Sequence, residues 1–306
     1  MKLLTFRVGD GSPRLGMKVG DAILDLEKTS QVLLPSGLRF PADMLSFLEA
    51  GDEALSAARQ IEGTMTGMSD LDHQLRAEGV LYTEPHIRLM APILNPRKIV
   101  CIGLNYRDHC TEQNIDLPKN PVIFTKFTTA IIGPDDEIVH PALTSQLDYE
   151  AELVFVMGKA GRHIPEGEAL NYVAGYTIGH DVSARDVQFS DKQWVRGKTF
   201  DTFAPMGPYL VTGDEIGNPH DLDIKLYLNG QLLQDSNTRH LVFNVPSLIA
   251  FLSKGFTFLP GDVVFTGTPA GVGVFRKPPI FMKPGDRVEV EIARIGRLVN
   301  RVVAES

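Results

Sequence analysis

The chain has 306 residues, of which 43% are hydrophobic and 22% are charged. These fractions are ordinary for a globular protein, and the length allows one large domain or a large domain with a small one. The formal net charge of -8 argues against a nucleic-acid backbone or an anionic membrane as the main partner, because both are negatively charged.

The start of the chain predicts a short strand rather than a signal or transit peptide. No apolar run in the sequence approaches the roughly 20 residues that a membrane-spanning helix needs. We therefore expect a cytoplasmic protein, or a mitochondrial one if a transit peptide has been removed. The two cysteines, Cys101 and Cys110, form neither a disulfide framework nor a thiolate metal site.

The first part of the chain predicts short strands followed by helices. Turns rich in Gly and Pro separate strand candidates within residues 1–26, and residues 41–49 and 52–61 have the apolar spacing of helices. Residues 62–78 are rich in Gly and Met and indicate a connecting region. We expect a small N-terminal domain over 1–75, a connecting segment over 76–94 and a larger domain over 95–306.

From Lys98 onward, short strands predominate in the prediction. Asn229 and Gly230 predict a hairpin turn, because both residue types tolerate a positive φ. Residues 246–252 predict a helix with Pro in its first turn. Many short strands with few helices predict a mostly β fold with α+β elements, built as a barrel, roll or sandwich. The strand predictions cover residues 99–102, 122–125, 145–157, 173–179, 209–212, 224–228, 263–265 and 287–292.

One predicted strand, residues 145–157, carries two acidic side chains among apolar ones. Side chains alternate between faces along a strand, so Glu150 and Glu152 share a face. Two adjacent buried carboxylates repel each other and require a cation. Asp181, at the end of the predicted strand 173–179, is a candidate third ligand. Oxygen ligands favour Mg²⁺ or Mn²⁺, with Ca²⁺ as a further candidate, over Zn²⁺. In the alternative interpretation, the glutamates lie on a solvated sheet face and Asp181 caps a turn.

Several other polar residues are candidates for substrate binding. Arg185 and Gln188 share a face if their segment is helical, and Arg can bind a carboxylate through two hydrogen bonds. Lys198 lies beside Gly and among aromatic residues, a setting that suits stabilisation of negative charge. The Gly-rich turn around Thr268 could present N–H groups and a hydroxyl to an anion. Surface ion pairs, a solvated lysine and a structural turn are the alternatives.

His109 and Glu112 form a candidate catalytic pair. They are three residues apart, so on a helix the carboxylate would orient the imidazole, as in a base that activates water. The pair follows the predicted buried strand 99–102, which makes it a candidate active-site lid. An ordinary pair on a surface helix is the alternative.

Five motifs together resemble those of the fumarylacetoacetate hydrolase family. They occur in the family's order and span roughly residues 95–306: CIGLNYRDH (101–109), DYEAE (148–152), GHDVSARDVQ (179–188), GKTFD (197–201) and TGTPAGVG (266–273). The resemblance implies a mixed β-sandwich roll with a small N-terminal domain, a Mg²⁺ or Mn²⁺ site and a homodimer.

The resemblance also implies roles for the candidate residues. The metal ligands would be Glu150, Glu152 and Asp181. The catalytic groups would be His109, Glu112 and Lys198, and the substrate-binding groups would be Arg185, Gln188 and Thr268.

The expected function is that of a divalent-metal-dependent enzyme on small 2-oxo or 2,4-dioxo acids. A metal that chelates the carboxylate and 2-oxo oxygens stabilises an enolate at C3. The main expectation is hydrolysis of the C–C bond of an acylpyruvate. Oxaloacetate decarboxylation and keto–enol tautomerisation pass through the same enolate and are the alternatives. An alternative of another class is a non-catalytic metal-binding β-rich protein.

Overall fold

The computed structural model describes residues 1–33, 39–65, 75–76 and 78–305. The predicted connecting region, 62–78, lies partly outside these ranges. In chain order the strands are β1 (Lys2–Arg7), β2 (Arg14–Val19), β3 (Ala22–Asp25), β4 (Leu81–Thr83), β5 (Arg88–Met90), β6 (Ile99–Gly103), β7 (Val122–Thr125), β8 (Ile131–Ile132), β9 (Glu137–His140), β10 (Leu147–Asp148), β11 (Ala151–Met157), β12 (Val173–His180), β13 (Ser183–Ala184), β14 (Ala204–Val211), β15 (Asp223–Leu228), β16 (Gln231–Asn237), β17 (Val263–Phe265), β18 (Arg287–Ile292) and β19 (Gly296–Ala304). The helices are α1 (Leu26–Leu33), α2 (Met44–Glu49), α3 (Gly51–Met65), α4 (Arg107–Glu112), α5 (Arg185–Asp191), α6 (Trp194–Lys198), α7 (Gly213–Ile216) and α8 (Val245–Gly255).

In the described ranges, the strands form two large sheets and a small one. A twelve-stranded sheet has the order β4-β3-β2-β1-β14-β12-β11-β17-β6-β7, with β5 beside β1 and β8 beside β14. A five-stranded sheet has the order β16-β15-β18-β19-β9, and β10 pairs with β13. This arrangement of sheets with short helices confirms the predicted mostly β fold with α+β elements. Within the described residues, no helix combines the length and the apolar character required to cross a membrane.

Strand β11 lies in the interior of the large sheet. Antiparallel pairing with β12 on one side and with β17 on the other occupies its backbone hydrogen bonds, and every one of its residues is buried. A strand that is covered on both faces needs apolar side chains on both, which explains the run from Leu153 to Met157. Glu152 therefore enters the core on a strand that other elements hold in place.

The N-terminal strands continue the same sheet. Strand β1 pairs with β14 through Lys2 opposite Val211 and Leu3 opposite Leu210. It also pairs with β2 and β5. Hydrogen bonds thus connect the beginning of the chain to the strand that neighbours β12. The division into a domain over 1–75 and another over 95–306 stays a prediction.

The predicted single strand over 145–157 is wrong at its centre. The structure has β10 and β11 instead, with Tyr149 and Glu150 between them. Strand β10 pairs with β13, whereas β11 pairs with β12 and β17. The Tyr149 N–H donates to the side chain of Asp148, and the Ala151 N–H donates to the side chain of Gln234. These bonds satisfy the backbone where the ladder is interrupted.

Helix boundaries differ modestly from the predictions. Helix α2 begins at Met44 rather than at residue 41, because the Asp43 side chain caps it by accepting the Ser46 N–H. Helix α3 continues to Met65, beyond the predicted end at residue 61. Helix α1 was not predicted. The predicted hairpin is confirmed, since Asn229 and Gly230 have φ values of 52° and 80°.

Candidate active site

Three buried carboxylates meet at the start of β11 and the end of β12. Glu150 precedes β11, Glu152 lies on β11, and Asp181 follows β12. The Asp181 N–H donates to the Glu150 carbonyl oxygen over 3.0 Å, which holds the two segments together. Each residue offers a carboxylate oxygen, and these oxygens lie within 4.8 Å of one another. The structure thus brings together the three predicted metal ligands.

Two cations contact Glu150. Arg185 Nη2 lies 2.5 Å from its Oε1, and Lys198 Nζ lies 2.8 Å from its Oε2. Lys198 Nζ also lies 3.0 Å from Asp181 Oδ2. Burial alone would raise the pKa of Glu150, but Lys198 and Arg185 outweigh it and lower that pKa to about 2. Asp181 and Glu150 in turn raise the pKa of Lys198 against the effect of its burial. Glu150 is therefore ionised at neutral pH.

Glu152 has a different environment. Its carboxylate accepts the Gly267 N–H over 2.7 Å, and within the described residues no Lys, Arg or His lies within ion-pair distance of it. Burial, together with repulsion from Asp181 and Glu150, raises its pKa well above the usual value. A cation at this point would supply the missing positive charge. The three carboxylates therefore fit a hard divalent cation that prefers oxygen ligands.

The backbone at Gly267 explains how its N–H reaches Glu152. Its φ of 100° lies in the region that favours glycine. A Cβ atom there would approach Asn105 Cβ to 2.9 Å and the Ile102 carbonyl oxygen to 3.0 Å. The predicted Gly-rich turn thus contributes a backbone donor to the carboxylate cluster.

Lys126 is a buried cation that the sequence analysis missed. Its Nζ lies 2.6 Å from Asp181 Oδ1 and donates to the carbonyl oxygens of Val182, at 3.1 Å, Phe203, at 2.8 Å, and Lys198. Burial lowers its pKa, although Asp181 acts in the opposite direction. Lys126 therefore joins the segment after β12 to the end of α6. A lysine between two Phe residues, directly after a predicted strand, was the available signal.

Asp148 is a second missed residue, and it connects Arg185 to the Gly-rich turn. Its Oδ2 accepts from Arg185 Nε over 2.8 Å and from the Val274 N–H over 3.0 Å. Its Oδ1 accepts the Gly273 N–H over 2.7 Å. Arg185 is consequently held by two carboxylates, those of Asp148 and Glu150. Only its position in the motif 148–152 distinguished Asp148 in the sequence.

The remaining predicted substrate-binding residues lie beside the cluster. Helix α5 places Arg185 Nη1 3.0 Å from Gln188 Oε1, so the predicted shared face exists. Thr268 Oγ1 accepts from Gln234 Nε2 over 2.9 Å. Gln234 also holds the Ala151 N–H and was not singled out from the sequence. The substrate-binding roles themselves stay predictions.

The short helix α4 carries the predicted base. His109 Nδ1 lies 3.2 Å from Glu112 Oε2, and Glu112 Oε1 accepts the Gly271 N–H over 2.9 Å. Asp108 Oδ2 accepts the Ser236 hydroxyl over 2.6 Å. A carboxylate facing Nδ1 assigns the hydrogen of a neutral imidazole to that nitrogen, which leaves Nε2 as an acceptor. The structure thus contains the predicted pair on the predicted helix.

One cavity of about 60 Å³ brings these groups together. Of the residues predicted for the site, all except Glu112 and Asp181 line it. Phe124, Phe189, Trp194 and Phe275 form much of its apolar wall. The polar lining consists of His109, Gln113, Glu150, Glu152, Arg185, Gln188, Lys198 and Thr268. The cavity therefore combines a candidate cation site, fixed positive charges and a base, which suits proton transfer on a small anion.

Sequence and structure comparisons identify the class of protein. Residues 98–303 match the family described as "Fumarylacetoacetate (FAA) hydrolase C-terminal". This chain belongs to the fumarylacetoacetate hydrolase family, as its motifs indicated.

The chain is also similar to individual proteins and solved structures. The chain is 48% identical over 308 residues to oxaloacetate tautomerase fahd2, mitochondrial, of Xenopus laevis, covering 99% of this chain and 90% of that protein. The structure of fumarylacetoacetate hydrolase from Exiguobacterium antarcticum has a TM-score of 0.82 and 36% identity, with 100% of both chains covered. That of 5-carboxymethyl-2-hydroxymuconate delta-isomerase from Mycobacterium smegmatis has a TM-score of 0.75 and 33% identity, again with 100% of both covered.

The segments 193–208 and 271–279 also resemble the subgroup called fumarylacetoacetate hydrolase domain-containing protein 2. Similarity to relatives of that type over the whole chain confirms this resemblance. Proteins named as tautomerase, hydrolase and isomerase are all similar to this chain. Membership of the family therefore defines the site more closely than the reaction.

Proposed function

We propose that this protein is a divalent-metal-dependent keto–enol tautomerase of oxaloacetate. The observation that carries the proposal is that His109 lines the same small cavity as two of the clustered carboxylates, Glu150 and Glu152, and as the cations Arg185 and Lys198. Keto–enol exchange needs only a base and stabilisation of an enolate, with the substrate as the single reactant. The similarity to the Xenopus tautomerase along nearly the whole chain supports this choice among the reactions of the family.

The acidic cluster would hold the metal. Glu150, Glu152 and Asp181 are the ligands, and Glu152 is the one that has no cation partner among the described residues. A bound Mg²⁺ or Mn²⁺ supplies Lewis acidity to the carboxylate and carbonyl oxygens of a 2-oxo acid. The donor set excludes a thiolate site, since Cys101 and Cys110 are not part of it.

Positive side chains would position the substrate and stabilise its charge. Lys198 lines the cavity with its ammonium group held between Glu150 and Asp181. Arg185 and Gln188 line the same cavity and suit recognition of a substrate carboxylate. These charges lie in a protein whose net charge is negative, so the attraction of the anionic substrate is local.

His109 would move the proton. It takes the proton from C3, the C–H electron pair forms the C2–C3 double bond, and the C2–O π pair passes to oxygen, which accepts a proton. Glu112 holds the hydrogen on Nδ1 and stabilises the imidazolium while the proton resides on Nε2. The apolar walls around Phe275 and Trp194 limit the access of bulk water.

Hydrolysis of an acylpyruvate is the second candidate function. The His109–Glu112 pair favours it, because a base oriented by a carboxylate can also activate water. The similarity to a protein named fumarylacetoacetate hydrolase supports keeping it. Decarboxylation of oxaloacetate would use the same enolate stabilisation and is a further arm of the test.

A substrate panel tests the proposal. Oxaloacetate, acetylpyruvate and fumarylpyruvate are supplied with Mg²⁺ or Mn²⁺, and the decay of the oxaloacetate enol absorbance, C–C cleavage and CO₂ release are each followed. We expect metal-dependent acceleration of enol decay without CO₂ release. Substitution His109→Gln should abolish it, whereas His86→Gln, at an exposed histidine outside the cavity, should not. Acceleration of C–C cleavage alone would replace the proposal with the second candidate.

Assembly and location belong to the proposal as well. The family resemblance implies a homodimer, and light scattering of the purified protein should give twice the mass of the 33.7 kDa chain. The Xenopus relative is named as mitochondrial. We infer the same compartment for this protein, and imaging of the tagged full-length protein in its source cells would test this.

A further inference from the structure

Gln113 forms a hydrogen bond with Nε2 of His109, the ring nitrogen that faces the cavity. Its Nε2 lies 2.8 Å from His109 Nε2, and Gln113 itself lines the cavity. Because Nδ1 faces the Glu112 carboxylate and carries the hydrogen, Nε2 offers a single lone pair. The Gln113 amide N–H is the donor that matches this lone pair. The base is thus already hydrogen-bonded on the side from which a water would approach.

The end of helix α4 places Gln113 in this position. Gln113 is the residue that follows the helix, and its N–H donates to the His109 carbonyl oxygen over 3.3 Å. Asn114 then has a φ of 55°, which turns the chain away. Within the described residues the Gln113 side chain has no other hydrogen bond. It can leave Nε2 by rotating its own side chain, with no change of the backbone.

We propose that Gln113 is a specificity-determining residue that competes with water for His109 Nε2 and so disfavours hydrolysis relative to keto–enol exchange. This inference rests on the proposed function of the same site. In hydrolysis, water donates to Nε2, its oxygen bonds to C4, and His109 takes the proton. The C3–C4 bond then breaks with its electron pair on C3, which takes a proton to give pyruvate and a carboxylic acid. Each hydrolytic turnover therefore requires a water in the place of the amide.

A substrate displaces Gln113 more readily than a water does. A water that replaces the amide exchanges one neutral hydrogen bond for another, and it loses freedom on entering the cavity. In the proposed function, Arg185 and Lys198, which line the cavity, anchor the carboxylate of the 2-oxo acid, so its reacting proton is brought to Nε2 by contacts formed elsewhere. The Gln113 amide therefore slows hydrolysis more than it slows keto–enol exchange.

The ratio of two reactions in one preparation tests this inference. Gln113→Met keeps the length of the side chain but removes the donor, and Gln60→Met makes the same change at an exposed position on α3. We measure kcat for acetylpyruvate hydrolysis and for oxaloacetate enol decay with saturating Mg²⁺. We expect the hydrolysis-to-exchange ratio to rise about three- to tenfold in Gln113→Met, the change that loss of one hydrogen bond produces. Gln60→Met should keep the wild-type ratio.

The remaining outcomes are also decisive. An unchanged or lower ratio in Gln113→Met overturns the inference, and so does wild-type hydrolysis as fast as that of the variant. A structural defect would lower both rates and the melting temperature, and the ratio is then measured in Gln113→Ala, where an unchanged or lower ratio overturns the inference. Absence of metal-dependent enol decay in the wild type is a different result. It contradicts the proposed function, while the hydrolysis rate of Gln113→Met against the wild type still tests the competition with water.

Discussion

The carboxylate cluster and the helix α4 both contribute side chains to one cavity but are held in different ways. Glu152 and Asp181 lie on or next to strands in the interior of the large sheet, and Arg185, Lys198 and Lys126 contact the cluster from three other segments. Two hydrogen bonds hold the short helix α4 in place. Glu112 accepts the Gly271 N–H, and Asp108 accepts the Ser236 hydroxyl. The charged groups of the cluster are therefore part of the core, whereas His109, the proposed base, is on a short helix that few polar contacts retain.

The largest expected effect is on metal binding, and it distinguishes Glu152 from Glu150. Glu152→Gln should weaken Mg²⁺ or Mn²⁺ binding by more than about 100-fold and abolish activity, because even residues behind metal ligands contribute up to about that much. The metal-free variant should melt no lower than the wild type, since the change removes a buried carboxylate with no cation partner among the described residues. Titration calorimetry and thermal melts measure both.

Glu150→Gln is the matched substitution. It leaves the buried cations Arg185 and Lys198 short of a partner and should cost about 3–5 kcal/mol of stability. Equal melting temperatures for the two variants would contradict the distinction between the glutamates. So would undiminished metal binding in Glu152→Gln.

The next expected effect concerns helix α4. His109→Ala should lower turnover by about 10²–10⁴-fold, the usual contribution of a general base. Metal affinity should stay within error of the wild type, because His109 is not one of the three clustered ligands. Steady-state kinetics and titration with Mn²⁺ follow the two properties separately. Unchanged turnover would remove His109 from the mechanism. A parallel loss of metal binding would show that helix α4 and the carboxylate cluster are not independent.

A pH effect sharpens the contrast inside the cluster. The raised pKa of Glu152 means that its carboxyl keeps a proton at a higher pH than usual, and a metal must displace that proton. Metal affinity should therefore fall as the pH falls, and binding should release a proton. The lowered pKa of Glu150, about 2, makes no such contribution. Calorimetry in two buffers of different ionisation enthalpy measures the released proton, and a binding enthalpy independent of the buffer would contradict this expectation.

The smallest expected effect concerns the contact that retains α4. Ser236→Ala removes the hydroxyl bonded to Asp108 and should change kcat or KM by about two- to tenfold, as loss of one hydrogen bond does. Metal affinity should not change, because Ser236 lies outside the cluster. Ser247→Ala, at a half-buried serine on α8 outside the cavity, is the control. If Ser236→Ala weakened metal binding as much as turnover, helix α4 and the carboxylate cluster would not be independent of each other.

The sequence predicted the principal residues of the site but not the groups that hold them. Glu150, Glu152, Asp181, Lys198 and His109 were all expected, and the structure brings them together. The side chains of Lys126, Asp148, Gln113 and Gln234 were not. Lys126 contacts residues more than fifty positions away, and Gln234 contacts Ala151 over 83 positions. Such partners leave no periodic signal in a single sequence. Gln113 is four residues from His109, but a glutamine at that spacing is unremarkable on any helix.

Local geometry explains what the sequence by itself determined. The hairpin at Asn229, the pair His109 and Glu112, and the pair Arg185 and Gln188 depend only on turn or helix geometry within a few residues. The tertiary structure alone decided that Glu150 is ionised beside two cations while Glu152 is left with a raised pKa. The physical reason is that electrostatic energy depends on distance and burial, and both were set when α5 and α6 brought Arg185 and Lys198 to Glu150 while the turn at Gly267 reached Glu152.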